Sequence, residues 1–185
     1  MIARRISCAT SSRHFIGHPI PDTASKTVED WADAFARIRR LPPHAVLNAD
    51  WIDRGETEHR AVCTSSSGAP LRHGDLHHGN VLYDEARGWL VIDPKGVVGD
   101  RAFETSTALH NPYPHVDLYA DAKVMERRVQ IYAIRLGSNP ERILRCFFAQ
   151  AVLSAAWHLE DGTGDAQIAN MLRAATTAET LLGGL

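Results

Sequence analysis

Apolar residues recur every three or four positions over several stretches of the 185-residue chain, which predicts amphipathic helices. The first such stretch contains Trp31, Ala34, Phe35 and Ile38. Thr27 and Asp30 have the spacing of a helix-capping box at its start, and Pro42 marks its end. Residues 44–62 are predicted to be helical in part, and the Ser-rich segment 64–70 is predicted to be a loop.

The chain after residue 116 is predicted to be helical. One helix runs from Asp121 to Leu136 and is closed by Gly137. Asn139 begins the next helix, because Pro140 favours the first helical position. The apolar face of that helix contains Ile143, Leu144, Phe147, Phe148, Ala151 and Val152. Asp165 is predicted to cap a last helix.

Two short runs near the middle of the chain have the composition of β-strands. VLY at 81–83 and WLVI at 89–92 are rich in β-branched and aromatic residues, and the DEARG between them is typical of a turn. The chain is therefore predicted to form a mainly α, α+β domain with one small β-hairpin. Residues 1–26 show no clear period and are predicted to be an irregular segment that precedes a single lobe, residues 27–185.

The composition is that of a soluble globular protein, with 44% apolar and 23% charged residues. A net charge of −2 implies no basic face, so nucleic acid is not expected as a partner. The longest apolar run, residues 146–157, is too short to cross a bilayer, so no membrane contact is expected. Cys8, Cys63 and Cys146 are odd in number and far apart, which favours the reducing cytoplasm over a disulfide framework.

Residues 72–100, which bracket the predicted hairpin, contain three His, four Asp and five Gly. His73, Asp75 and Asn80 precede the hairpin and Asp93 follows it, so the hairpin returns residue 93 to the side of residue 80. Phosphoryl transfer needs a carboxylate that deprotonates an acceptor hydroxyl, and oxygen ligands that hold Mg²⁺ on ATP. Protein kinases use this spacing of motifs, and it arises by chance in roughly one chain of this length in 10³.

Four motifs of the chain resemble those of the aminoglycoside phosphotransferases, and in particular the streptomycin phosphotransferase and hydroxyurea kinase group. They are HGDLHHGN at 73–80, GWLVIDPKG at 88–96, GDRA at 99–102 and AAWHLEDG at 155–162. The resemblance covers about residues 70–165. It implies a protein-kinase-like fold, of which this chain is the C-terminal lobe. It also implies transfer of the γ-phosphoryl group of ATP, with Mg²⁺ as cofactor, to an alcohol group of an aminoglycoside-like antibiotic.

The resemblance implies a role for each residue of the motifs. Asp75 would be the catalytic base, and Asn80 and Asp93 would hold Mg²⁺. His73 would support the catalytic loop, residues 73–80, and His77 would lie near the transferred phosphoryl group.

Three further residues are candidates for binding. Lys95 lies in the metal-binding turn, residues 93–96, and would contact the phosphates of ATP, although an exposed lysine without a role is an alternative. Aminoglycosides are polycations, so carboxylates are expected in their pocket, and Glu160 and Asp161 are the candidates. A solvated helix end is the alternative for these two acids. Glu104 is expected to pair with an arginine and to brace the loop after the metal site.

Two other interpretations stay open on the sequence alone. The three histidines of residues 73–78, with Asp75, could be zinc ligands of a hydrolase, but the glycines beside them disfavour a zinc-binding helix. Residues 1–62 contain no Gly-rich phosphate loop and one lysine, Lys26, so the N-terminal lobe of a kinase is expected to be missing. The second alternative is therefore an inactive, truncated kinase lobe that acts as a binding or remnant module. Its uncovered lobe surface would favour self-association.

Overall fold

The structure is a computed structural model that describes residues 26–66, 68, 70–113 and 115–185. The predicted irregular segment, residues 1–26, lies outside the described residues except for Lys26. Helices make up most of the described chain, and its strands form two separate antiparallel pairs. None of the described helices combines the length and the apolar character needed to cross a membrane.

Seven α-helices occur in the described residues. They are α1 (Asp33–Ile38), α2 (Ala49–Thr64), α3 (Arg101–Leu109), α4 (Val116–Tyr119), α5 (Ala122–Leu136), α6 (Pro140–Glu160) and α7 (Asp165–Leu182). The strands lie between α2 and α3, and are β1 (Leu71–Arg72), β2 (Val81–Asp84), β3 (Gly88–Val91) and β4 (Val97–Val98). Two 3-10 turns, Glu29–Ala32 and His78–Asn80, precede α1 and β2.

Helix α6 forms the centre of the domain, and α2, α3 and α7 pack against it. Twelve of its residues are buried, and many of them are small. The buried face of α7 is also rich in alanine, which lets the two helices approach closely: Ile168, Met171, Leu172, Ala174, Ala175 and Ala178. On the other side, α2 touches α6 at Gly55, where an added Cβ would lie 2.6 Å from Val152 Cγ1. Close helix packing is therefore the basis of the core.

Most helix ends follow the predicted capping chemistry, although α1 already ends at Ile38, before the predicted end at Pro42. The Thr27 amide donates to Asp30 Oδ2 at 2.7 Å, and the Asp30 amide donates to Thr27 Oγ1 at 3.1 Å, which is the reciprocal capping box. Gly137 ends α5 in the left-handed conformation, with φ of 60°. The prediction for Asp165 is wrong, because Gly164 is the cap and Asp165 is the first helical residue. An acid in the first turn still interacts favourably with the helix dipole.

The predicted hairpin is formed by β2 and β3, with Val81 paired to Val91. The sequence pattern does not predict α3, nor the ladder in which Leu71 of β1 pairs with Val98 of β4. Strands of two residues are too short to show a period of two, and for that reason the ladder escapes sequence analysis. The ladder closes residues 71–98 into a loop whose base is held by backbone hydrogen bonds.

Candidate active site

Glu104 of α3 holds the chain where it enters the catalytic loop. Its two carboxylate oxygens accept the backbone amides of His73 at 2.9 Å and Gly74 at 3.2 Å. Burial raises the pKa of the Glu104 carboxyl, and the two amide donors act against that shift. The prediction that Glu104 pairs with an arginine is therefore wrong, because its carboxylate binds backbone amides instead.

The ring of His73 connects the catalytic loop to the end of the hairpin. Its Nδ1 accepts the backbone amide of Asp75 at 3.2 Å, which leaves the proton on Nε2. Nε2 then donates to the carbonyl of Ile92 at 2.7 Å. The buried ring thus contacts Asp75 within the catalytic loop and the residue before Asp93, an arrangement that fits the supporting role expected for His73.

The residues expected to act on ATP and on the acceptor meet at one place. Lys95 Nζ lies 3.1 Å from Asp93 Oδ2 and 3.7 Å from Asp75 Oδ2, so the two carboxylates share one ammonium group. Asn80 Nδ2 donates to the Asp75 carbonyl at 2.9 Å, and the Asn80 carbonyl accepts the Ile92 amide at 3.0 Å. The hairpin therefore returns Asp93 to the side of the catalytic loop, as the spacing predicts.

The turn that carries Asp93 has an unusual backbone. Among the described residues Asp93 is the one non-glycine residue with positive φ, at 54°. Such conformations cost about 1 kcal/mol or more and are concentrated at functional sites. The hydrogen bond from the Lys95 amide to the His73 carbonyl, 2.7 Å long, helps to hold this turn.

Asn80 and Asp93 provide oxygen atoms of the kind that bind Mg²⁺. The Nδ2 of Asn80 is bound to the Asp75 carbonyl, while its Oδ1 makes no hydrogen bond within the described residues. The Asp93 side chain is 64% exposed and contacts Lys95. An amide oxygen and a carboxylate are hard ligands of the kind that Mg²⁺ prefers, with other positions left for phosphate and water.

The zinc interpretation finds no support in this arrangement. Both ring nitrogens of His73 are hydrogen-bonded, and His77 Nδ1 accepts the Gly79 amide at 3.0 Å. In the part of the chain that the structure describes, no three His, Cys, Asp or Glu side chains are placed to hold a metal ion. His73 and His77 instead accept backbone amides of the loop.

A cavity of about 750 Å³ opens beside Asp75. This volume is within the range of small-molecule sites. Its charged lining residues are Lys26, Asp75, Lys95 and Asp161, so ammonium groups and carboxylates are equal in number. The aromatic part of its wall consists of Trp31, Tyr113, Trp157 and the rings of His110 and His158. The cavity is therefore less acidic than a pocket built for a polycation would be.

The two acids expected to bind the acceptor are placed differently. Asp161 lies on the cavity wall. Glu160 instead accepts two hydrogen bonds from Arg37, at 2.6 Å from Nε and 3.0 Å from Nη2, and does not line the cavity. Consecutive residues of a helix point about 100° apart, so adjacent acids need not face one site.

Sequence reasoning missed the residues by which α6 lines the cavity. Gln150, Ser154 and Trp157 recur every three or four positions and form one stripe along this helix, which the predicted Asp161 continues just beyond the helix end. A signal was available, because Gln150 and Ser154 are polar residues within the longest apolar stretch of the chain. Polar residues on a buried helix face often point to a site.

Comparisons with known proteins find similarity along most of the chain. The model of the family described as "Aminoglycoside/hydroxyurea antibiotic resistance kinase" matches residues 1–162. The chain is 34% identical over 163 residues to Streptomycin 3''-kinase of Klebsiella pneumoniae, and 29% identical over 163 residues to Streptomycin 6-kinase of Streptomyces glaucescens. These matches cover 86% and 88% of this chain, and 59% and 50% of the relatives.

Hydroxyurea phosphotransferase of Kitasatospora aureofaciens is 34% identical over 123 residues, which are 66% of this chain and 33% of that relative. The chain thus spans about half the length, or less, of the curated relatives it matches. The family match also includes residues 1–62, so the similarity begins well before the motifs that carry the resemblance.

Solved structures show the same fold. A thermostable mutant of aminoglycoside phosphotransferase APH(4)-Ia has a TM-score of 0.56 at 19% identity, over 85% of this chain and 54% of that chain. Macrolide 2'-phosphotransferase type I has a TM-score of 0.50 at 18% identity, over 89% and 56%. The predicted fold class, a mainly helical lobe of the phosphotransferase type, is confirmed. The chain belongs to the aminoglycoside/hydroxyurea antibiotic resistance kinase family.

Proposed function

We propose that the chain carries the catalytic loop of a small-molecule kinase, which transfers the γ-phosphoryl group of ATP to an alcohol group of an aminoglycoside-like antibiotic. The observation that carries this proposal is the meeting of Asp75, Asp93 and Lys95 at the edge of a cavity large enough for the acceptor. The names of the relatives, streptomycin kinases and a hydroxyurea phosphotransferase, support the class of acceptor.

Asp75 is the proposed catalytic base. Its carboxylate is about 30% exposed, lines the cavity, and can therefore accept the proton of a hydroxyl group that is bound there. Lys95 Nζ and His77 Nε2, at 3.7 and 3.8 Å, are its nearest basic groups. Because His77 Nδ1 accepts the Gly79 amide, Nε2 carries the proton and can donate to a phosphoryl oxygen.

Asn80 and Asp93 are the proposed holders of Mg²⁺. When bound, the ion would neutralise the negative charge of the phosphate oxygens of ATP. Lys95 would add a positive charge at the same place, and the hydrogen bond to Asp93 raises the pKa of its ammonium group. In this arrangement Asp75 and Asn80 precede the hairpin, and Asp93 and Lys95 follow it.

The test is a mass-spectrometric assay for phosphorylated streptomycin, with ATP and Mg²⁺. Asp75→Asn should lower turnover by roughly 10²–10⁴ if Asp75 is the general base. Asp117→Asn, at an exposed ion pair with Arg173, is the matched control and should leave turnover unchanged. Measurable turnover that is equal in the wild type and in Asp75→Asn would exclude Asp75 as the base. Binding of ATP and streptomycin without any product would instead favour a non-catalytic binding module.

A further inference from the structure

Two polar side chains on the cavity wall make no hydrogen bond to any described residue. They are His110, which follows α3, and Gln150, in the middle of α6. Gln150 is 4% exposed, and both His110 Nδ1 and Gln150 Oε1 are shielded from solvent. Buried polar atoms in native proteins nearly always have a hydrogen-bond partner. Two such side chains on one cavity wall therefore point to a ligand.

Both side chains lie near Phe147 of α6, which places them in one part of the cavity. The ring of His110 packs against that of Phe147, with centroids 6.5 Å apart, and Gln150 follows Phe147 by about one helical turn. Asp161 is eleven residues further along the chain than Gln150, which corresponds to about 16 Å of helix. The carboxylate of Asp161 thus belongs to a different part of the cavity.

The end of the cavity at His110 and Gln150 has little charge of its own. Burial lowers the pKa of His110 to about 4, and His77 and His158 act in the same direction, so His110 is neutral at physiological pH. A neutral imidazole has one donor and one acceptor, and a carboxamide also offers both. Rotation of the Gln150 amide by about 180° exchanges Oε1 with Nε2, and the neutral His110 ring can carry its proton on either nitrogen, so each side chain can present a donor or an acceptor.

These properties select the chemistry of the group that binds. A hydroxyl or an amide both donates and accepts, and so can pair with either side chain. A cationic group only donates, and its transfer to a neutral, dry environment is costly. The rings of Trp31 and Trp157, at 5.9 Å in edge-to-face contact, add an apolar surface to the same cavity.

We propose that His110 and Gln150 bind an uncharged part of the acceptor, such as the hydroxyl groups of a sugar ring or the amide of a urea, and so determine acceptor specificity. The inference rests on the proposed function, because it assumes that the cavity beside Asp75 holds the acceptor. Cationic groups of an acceptor would lie toward Asp161.

The experiment is calorimetric titration of streptomycin and of hydroxyurea into the purified chain, without ATP, so that no turnover is needed. Gln150→Leu, which keeps the size of the side chain, should weaken the binding of each ligand that the wild type binds by about tenfold. The loss should be the same at low and at high salt, because a neutral hydrogen bond is not screened. Gln130→Leu, the same substitution at an exposed position of α5, is the matched control and should bind like the wild type.

Two further readouts separate recognition from a structural role. Gln150 makes no hydrogen bond to the described residues, so Gln150→Leu should leave the Tm unchanged or raise it. His110→Asn keeps a polar atom near the position of Nδ1 and should retain more affinity than His110→Phe. A lower Tm with unchanged affinity in Gln150→Leu, together with unchanged affinity in His110→Phe, would overturn the inference and leave the proposed function intact. No binding of either ligand by the wild type would overturn both.

Discussion

The loop and hairpin of residues 71–99 and the helix pair α6–α7 are stabilised by different forces. In the helix pair the contact is made by buried alanines and larger apolar side chains. In the loop and hairpin, Leu82, Tyr83 and Trp89 are about half exposed or more, and the order comes from hydrogen bonds to His73 and Glu104. We therefore expect the helix pair to supply most of the stability and the other region to supply the proposed chemistry.

This division has a consequence for mutagenesis. The geometry around Asp75 depends on a few polar contacts, each worth about 1 kcal/mol net, whereas burial of one large side chain in the core is worth several. Substitutions in the two regions should therefore separate stability from activity. Four measurements test how far that separation holds.

The largest effect is expected in the helix pair. Phe147 is fully buried on α6, so Phe147→Ala should lower the free energy of unfolding by about 3–5 kcal/mol through lost burial and the cavity that remains. Urea denaturation measures this loss. Tyr83→Ala, at a side chain that is 63% exposed in the hairpin, is the control and should change it by less than about 1 kcal/mol. Equal losses in the two variants would contradict the division.

The second effect is a dependence of stability on pH. Burial lowers the pKa of His59 from about 6.5 to about 4, so the unfolded chain takes up a proton at a higher pH than the folded one. The free energy of unfolding should therefore fall as the pH is lowered from 6.5 to 4, by about 2 kcal/mol at pH 5 for this residue. His110 acts in the same direction.

Denaturation of wild type and His59→Leu at pH 7 and pH 5 measures the contribution of His59. The variant should lose less stability than the wild type over this interval, because its unfolded state has one proton fewer to take up. An identical loss in the two proteins would show that His59 is not neutral in the folded state.

The third effect is local to the catalytic loop. Glu104→Gln keeps one acceptor for the amides of His73 and Gly74 but leaves the other amide unpaired, at a cost of about 1 kcal/mol. Hydrogen exchange of residues 71–76 should become faster, while exchange in α7 should not change. Protection that is unaltered at Gly74 would mean that Glu104 does not brace the loop.

The smallest effect concerns the two adjacent acids at the end of α6. Asp161→Asn should weaken streptomycin binding by a few-fold at low salt and by less at high salt, as for other exposed charges. Glu160→Gln should leave binding unchanged, because Glu160 is paired with Arg37 outside the cavity. A larger loss in Glu160→Gln than in Asp161→Asn would reverse this assignment.

The chemistry-bearing residues could be predicted from the sequence more completely than the surroundings that hold them. Asn80 and Asp93 lie on the two sides of a short hairpin, and turn residues between two β-rich runs are enough to bring them together. The partners of Glu104 could not be predicted in this way, because nearly every residue has a backbone amide and the sequence does not show which of them a side chain binds.

The cavity beside Asp75 was also beyond sequence analysis. Its walls combine residues from α3, α6 and α7 with Lys26 and Trp31, which come together only through helix packing. The pairing of Glu160 with Arg37 depends on the same packing, since the two residues are 123 positions apart. Glu160 and Asp161 are both acids at the end of α6, and the direction of each side chain determines which of them lines the cavity.

The β1–β4 ladder gives the domain a point where its chain can be opened. The segment of residues 71–98 begins and ends at the same place, because Leu71 pairs with Val98. The part of this segment farthest from the pair is the exposed turn at residues 85–87. New termini or an inserted peptide at that turn would leave the β1–β4 ladder intact. The two halves of the site, one with Asp75 and one with Asp93, would then be carried by different segments and still be joined by the ladder.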